Sequence, residues 1–262
     1  MSVVFLDSAI VHYEVLGKGR PVFFLHGWVG SWKYWIPSMQ VASTSYRAYA
    51  VDLWGYGETA KNMQGYSLDI QADMIYGFME KMGIGKIAIV GHGLGALVAF
   101  NFVRRWREKV DRMMAITCPM EYEMVHTRLR NASPSELVDW LSNRSPEAVA
   151  ALSDAAKADP QALAGSMDSL QSNNLFGAVR QTSLPCLFVY GQNDPAIQQP
   201  STEKQTSLSH MMHQVTLEGS GHFPMLDETQ KFNRLLIDFL ALEPGTSPTE
   251  LQLKEEWKRR VR

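Results

Sequence analysis

The chain has 262 residues, 45% of them hydrophobic, enough to bury the core of a single α/β domain. A formal net charge of −2 gives no electrostatic reason to expect a nucleic acid or an anionic membrane as partner. No stretch reaches the ~18 apolar residues of a membrane span, and two cysteines are too few for a secreted disulfide framework.

Met1-Ser2-Val3-Val4-Phe5-Leu6-Asp7 lacks the basic start and long apolar run of a signal peptide, so the expected location is cytoplasmic. Pro21-Val22-Phe23-Phe24-Leu25 reads as a buried strand that ends in His26-Gly27-Trp28-Val29-Gly30. Tyr46-Arg47-Ala48-Tyr49-Ala50-Val51 is a second strand, running into Asp52-Leu53-Trp54-Gly55-Tyr56-Gly57-Glu58-Thr59, a turn that Asp52 is expected to organise.

Lys86-Ile87-Ala88-Ile89-Val90 then leads through Gly91-His92-Gly93-Leu94-Gly95 into the helix-prone Ala96-Leu97-Val98-Ala99-Phe100. Strand, tight turn and helix is the layout of a nucleophile elbow, G-x-S-x-G, with glycine in the serine position. Gly91-x-Gly93-x-x-Ala96 also matches the dinucleotide fingerprint, which needs an acid at the end of the next strand. That strand, near Met113 to Ile116, ends in Thr117-Cys118-Pro119, and Asp111 is at its wrong end.

From Pro119 to about Leu184 the strand pattern stops. Ser133-Pro134-Ser135-Glu136 is a capping box, and Ser145-Pro146 and Asp159-Pro160 repeat the cap-then-proline signal, so three short helices are expected. Strands resume at Pro185-Cys186-Leu187-Phe188-Val189-Tyr190, ending in Gly191-Gln192-Asn193-Asp194. A last one near Gln214 to Leu217 ends in Glu218-Gly219-Ser220-Gly221-His222-Phe223. After Glu243-Pro244-Gly245, Ser247-Pro248-Thr249-Glu250 gives a further capping box. Leu253, Trp257 and Val261 follow at i, i+4, i+8 in a basic segment. This tail reads as a helix on its own core or as a homodimer contact.

Five motifs in order, H-G-x, D-x-x-G-x-G-x-T, G-x-G-x-G, G-x-x-D and G-x-G-H-F, resemble the α/β-hydrolase superfamily over roughly residues 3 to 242. The resemblance implies a central, mostly parallel sheet flanked by helices. The core would be residues 1–118 and 185–242, the inserted helical cap 119–184, and the tail 243–262. It implies the order nucleophile, acid, histidine, hence Gly93, Asp194 and His222, with the Trp28 and Leu94 amides as oxyanion donors. His26, Met120, Met124, His126 and Phe223 are the expected binding residues of an enclosed, mostly apolar site for a small molecule with a carbonyl. No cofactor and no metal are expected. The pattern is closer to small cap-bearing esterases and carbon–carbon bond hydrolases than to lipases.

Glycine supplies no nucleophilic atom, and loss of the nucleophile from such a triad removes on the order of 10⁶ in rate. Serine-hydrolase turnover is therefore not expected. Three readings follow: a binding protein or pseudoenzyme, an enzyme in which the His222–Asp194 pair works directly on water or substrate, or a serine enzyme whose nucleophile was removed by design. Cys118 as a replacement nucleophile competes with Cys118 as a small buried residue.

Overall fold

Parallel strands buried on both faces carry unbroken apolar runs rather than alternation, and the runs read from the sequence form the middle of one sheet. The computed structural model describes residues 2–61, 65–173, 175, 177 and 182–251. Its strands are β1 (Ser2–Leu6), β2 (Ala9–Leu16), β3 (Arg20–Leu25), β4 (Tyr46–Val51), β5 (Ile87–His92), β6 (Val110–Ile116), β7 (Cys186–Gly191) and β8 (Met212–Leu217). They lie in the order β1-β2-β4-β3-β5-β6-β7-β8, with β1–β2 and β2–β4 antiparallel and the other neighbours parallel. Every residue of β5 and β7 is buried.

The β1–β2 hairpin is not among the strands read from the sequence. Its turn, Asp7-Ser8, has positive φ at both residues (46° and 70°) without a glycine to announce it. Strand β3 has β4 on one side and β5 on the other. The winding reverses there, and the crevice beyond the carboxyl ends of the strands at such a reversal is where doubly wound sheets take ligands.

Helices α1 (Ile36–Ala42), α2 (Leu68–Lys81) and α3 (Leu94–Arg105) precede β6, and α4 (Thr127–Asn131), α5 (Pro134–Leu141), α6 (Pro146–Ala151) and α7 (Pro160–Ser172) lie between β6 and β7. Of α4 to α7, three start at the proline signals. Both arms of the Ser133–Glu136 box are present, the Ser145 hydroxyl accepts from the Ala148 amide, and Asp159 accepts from the Gln161 amide. The additional helix, α4, is capped by His126, whose Nδ1 accepts from the Arg128 amide at 3.0 Å. Histidine is outside the usual capping set, which is why that start was not legible.

Helices α8 (Thr202–Thr206), α9 (Pro224–Asp227) and α10 (Thr229–Leu240) complete the described set. Helix α10 buries Phe232, Leu235, Leu236, Phe239 and Leu240, an apolar stripe at i, i+3, i+4, i+7, i+8. Its C-terminal end is closed by Arg112 of β6, whose Nη1 donates to the Phe239 carbonyl at 2.9 Å.

The inserted helices are tied to the loops beneath them. The Asp159 amide donates to Gly55 O at 2.7 Å, Tyr66 Oη donates to Asp159 at 2.6 Å, and Lys33 pairs with Asp154 at 2.9 Å. At the C-terminus, Ser247 caps a single 3-10 turn, Pro248–Glu250, and its hydroxyl donates to His210 O. The Leu253, Trp257, Val261 stripe lies outside the described residues. No helix among those described is long and apolar enough to cross a membrane.

Asp52 organises its turn. Its carboxylate accepts from the amides of Trp32 (2.8 Å) and Glu58 (3.1 Å) and meets His12 Nδ1 at 2.8 Å. Burial opposes charge on His12, but the hydrogen bond and charge of Asp52, with Glu14 adding to both, outweigh it and raise its pKa above 6.5. A raised folded-state pKa contributes stability that is complete below the unfolded value and lost as pH rises through the folded one. Unfolding free energy from denaturant titration is therefore expected to contain a declining component from pH 6.5 upward. His12→Gln should flatten that decline; an unchanged slope in the variant contradicts the assignment.

Candidate active site

The turn after β5 forms because three positions lack side chains. A Cβ on Gly91 would lie 2.6 Å from the Gly95 backbone, and one on Gly95 would lie 2.3 Å from the Leu25 carbonyl oxygen, so β5, α3 and β3 can cross this closely only at glycine. Gly93, between them, has φ 49° and ψ −110°, a conformation glycine adopts without the Cβ penalty other residues meet. Its amide donates to Ile116 O at 2.9 Å. A Cβ here would stand 3.2 Å from the Trp28 ring. That ring is buried and held by an Nε1–H bond of 2.9 Å to Ser166 Oγ on α7. The nucleophile position therefore has no side chain and an indole packed against it.

The loop after β7 carries Asp194 and the loop after β8 carries His222. His222 Nδ1 lies 3.0 and 3.1 Å from the two carboxylate oxygens of Asp194, with both side chains 1% exposed. Asp194 Oδ1 also accepts from the amides of Ala196 (2.8 Å) and Ile197 (3.3 Å), which fixes the carboxylate. A carboxylate facing Nδ1 selects the tautomer with its proton there and leaves Nε2 as the basic lone pair. Behind His222, the Gly221 amide donates to Asp227 at 2.8 Å and anchors the loop.

Trp28 and Leu94 are both buried. Neither backbone amide donates to another group among the described residues. Buried amides without partners are rare, and these two flank Gly93, one across from it and one following it. The Phe223 ring packs on His222 (5.0 Å between centroids), His92 (5.3 Å) and Tyr34 (5.8 Å). Met120 and Met124 are buried just beyond β6.

Two expected ligand contacts are placed otherwise. His26 is fully buried with both ring nitrogens committed: Nε2 accepts from the Leu53 amide at 3.0 Å and Nδ1 donates to Gly27 O at 2.8 Å. Burial lowers its pKa against the pull of Asp52, so it is a neutral brace between two loops with no polar atom free for a ligand. His126 is exposed; it caps α4 and its ring lies against Trp140 at 5.1 Å. Cys118 is fully buried, and burial pushes its thiol far above the range in which a thiolate forms, which removes it as a substitute nucleophile.

Sequence reasoning missed Tyr34 and His92, both fully buried. Tyr34 Oη accepts from the Gly27 amide and lies 3.0 Å from His92 Nδ1, while His92 Nε2 lies 2.8 Å from His222 O. His92 was in view as the second residue of the turn, but only the fold reveals what its ring touches.

A family model described as the alpha/beta hydrolase family matches residues 22–235, and the chain belongs to that family. Among curated relatives, it is 31% identical over 106 residues to a soluble epoxide hydrolase from Corynebacterium sp. (strain C12), covering 40% of this chain and 37% of that protein. The chain thus spans little more than a third of that relative. It is 23% identical to the non-heme chloroperoxidase CPO-A1 of Kitasatospora aureofaciens, over 89% of this chain and 97% of that one. Among solved structures, a serine-to-glycine mutant of the N-acyl homoserine lactonase AidH, complexed with N-hexanoyl homoserine lactone, superposes with a TM-score of 0.81. The identity there is 18%, over 91% of this chain and 96% of that one.

The Gly93 geometry makes a prediction about stability. Gly93→Ala and Gly93→Ser both place a Cβ at positive φ against the Trp28 ring, and strain of this kind is worth about 1–3 kcal/mol. Both variants are expected to lose stability by similar amounts in denaturant titration, because the penalty belongs to the Cβ and not to the hydroxyl. A Gly93→Ser variant as stable as the parent contradicts this packing.

Proposed function

We propose that this protein turns over a small, mostly apolar carbonyl compound by general-base catalysis from His222, without a covalent acyl-enzyme. The observation that carries this reading is an intact, buried His222–Asp194 pair beside a nucleophile position that is glycine. Placing an imidazole and a carboxylate out of water is unfavourable unless the geometry is good and the remaining lone pairs are satisfied. Here two backbone amides and the ring itself satisfy Asp194.

In the proposed step a water in reach of His222 Nε2 gives its proton to that nitrogen as its oxygen bonds the carbonyl carbon. The carbonyl electron pair moves onto oxygen, where the Trp28 and Leu94 amides receive the charge; such a donor is worth ~3–4 kcal/mol at most in a working enzyme. Asp194 stabilises the imidazolium. The imidazolium then returns the proton to the leaving group as its bond to carbon breaks. Met120, Met124, Phe223 and the Trp28 ring supply the apolar wall. Esters and lactones are the first carbonyls to test, since the hydrolase-like arrangement and the lactone held by a glycine-substituted structural neighbour support them; vinylogous carbon–carbon substrates come next.

Hydrolysis of an ester and lactone panel should fall by ~10²–10⁴ in His222→Ala, the range a general base supplies. A fluorophosphonate probe should leave the native chain unlabelled. Unchanged turnover in His222→Ala overturns the proposal, and panel members that bind without turnover assign the protein to ligand binding instead.

A further inference from the structure

Tyr34 and His92 take no part in the chemistry above, yet they connect the loop that carries Trp28 to the loop that carries His222. The chemistry of the four groups fixes every proton between them. The His222 carbonyl can only accept, so His92 Nε2 must hold the hydrogen of their 2.8 Å contact. A neutral imidazole then has a bare lone pair at Nδ1. The Tyr34 hydroxyl, 3.0 Å away, must donate to it, and its own lone pair accepts from the Gly27 amide. Each donor meets one acceptor and no proton is left over. An imidazolium at His92 would turn a second N–H toward Tyr34 Oη and leave the hydroxyl proton without a partner.

An independent observation fits the same arrangement. A Cβ on Gly27 would lie 2.7 Å from His92 Nδ1, so the glycine of the His26-Gly27 pair is required by the ring that sits against it. The ring is held from the other sides by Tyr34 (5.6 Å between centroids), Phe223 (5.3 Å) and His222 (4.9 Å). Burial, reinforced by the neighbouring His222, holds the His92 pKa well below 6.5. His92 thus stays neutral while a base beside it takes up a proton.

We propose that His92 is a positioning residue: through its Nε2–H bond to the His222 carbonyl and its Nδ1 bond from Tyr34, it holds the His222 base and the Trp28 amide at a fixed spacing. The functional part rests on the reading of His222 as base. A misplacement of about 1 Å between reacting groups is worth roughly 10²-fold in rate, so the relay matters even though it touches no substrate.

The test reads the relay without any substrate. In the ¹⁵N-labelled full chain, long-range ¹H–¹⁵N spectra should show His92 as the Nε2–H tautomer, with no titration between about pH 5 and 8, where a free histidine changes charge. Tyr34→Phe keeps the ring and deletes the hydroxyl. It should keep the Nε2–H tautomer, which the His222 carbonyl fixes, but leave Nδ1 without its donor, so that the Nδ1 ¹⁵N resonance moves toward that of a bare lone pair. The His222 Nδ1–H resonance should broaden and kcat fall roughly 10²-fold with KM little changed. A wild-type His92 that titrates in that window or carries its proton on Nδ1 overturns the relay, whether or not Tyr34→Phe folds. So does a folded Tyr34→Phe with an unchanged His222 resonance. Were no substrate turned over while the wild-type tautomer and the Nδ1 shift in Tyr34→Phe were observed, the catalytic reading would fail and the relay would stand.

Discussion

The site depends on one close crossing. Leu25 O lies where the side chain of any residue but glycine at position 95 would begin, so α3 can leave β5 directly over the end of β3. That contact sets the His26-Gly27-Trp28 loop beside the turn at Gly93. It puts the Trp28 ring against the nucleophile position and the Gly27 backbone against His92. Parallel pairing of β6, β7 and β8 then carries Asp194 and His222 to the same end of the sheet. The order of the motifs along the chain becomes a cluster because every one follows the carboxyl end of a strand.

Four buried histidines show how partner geometry decides the role of a single residue type. His12 faces a carboxylate and its pKa rises. His26 and His92 each offer one nitrogen to a donor and one hydrogen to a carbonyl, and burial keeps both neutral. His222 has a carboxylate on Nδ1 and a lone pair at Nε2, the combination a general base requires. His92, whose ring lies 4.9 Å from that of His222, is thereby kept from competing with it for a proton.

Much of this was legible because glycine and strand patterns are local. The apolar runs at Val22–Leu25, Tyr46–Val51 and Ile87–Val90 announce buried parallel strands, and the proline caps announce α5, α6 and α7. What was not legible depends on contacts across the fold. His26 and His92 are equivalent in sequence terms, each a histidine beside a glycine at a strand end, and neither reveals which groups meet its ring. His126 follows Met120 and Met124 at the start of the inserted segment, but its nitrogen is used as a helix cap at the surface. The Trp28 ring over Gly93 joins residues 65 positions apart and changes the meaning of the glycine: the position is not merely without a nucleophile but packed.

The central claim is that the intact His222–Asp194 pair acts without a covalent intermediate. Intact-protein mass spectrometry on rapidly quenched single turnovers of a hydrolysed ester or lactone tests it most directly. The account predicts product at every time point with the chain at its unmodified mass and no burst. An acyl adduct that forms and decays at the rate of turnover, on any side chain, would contradict it.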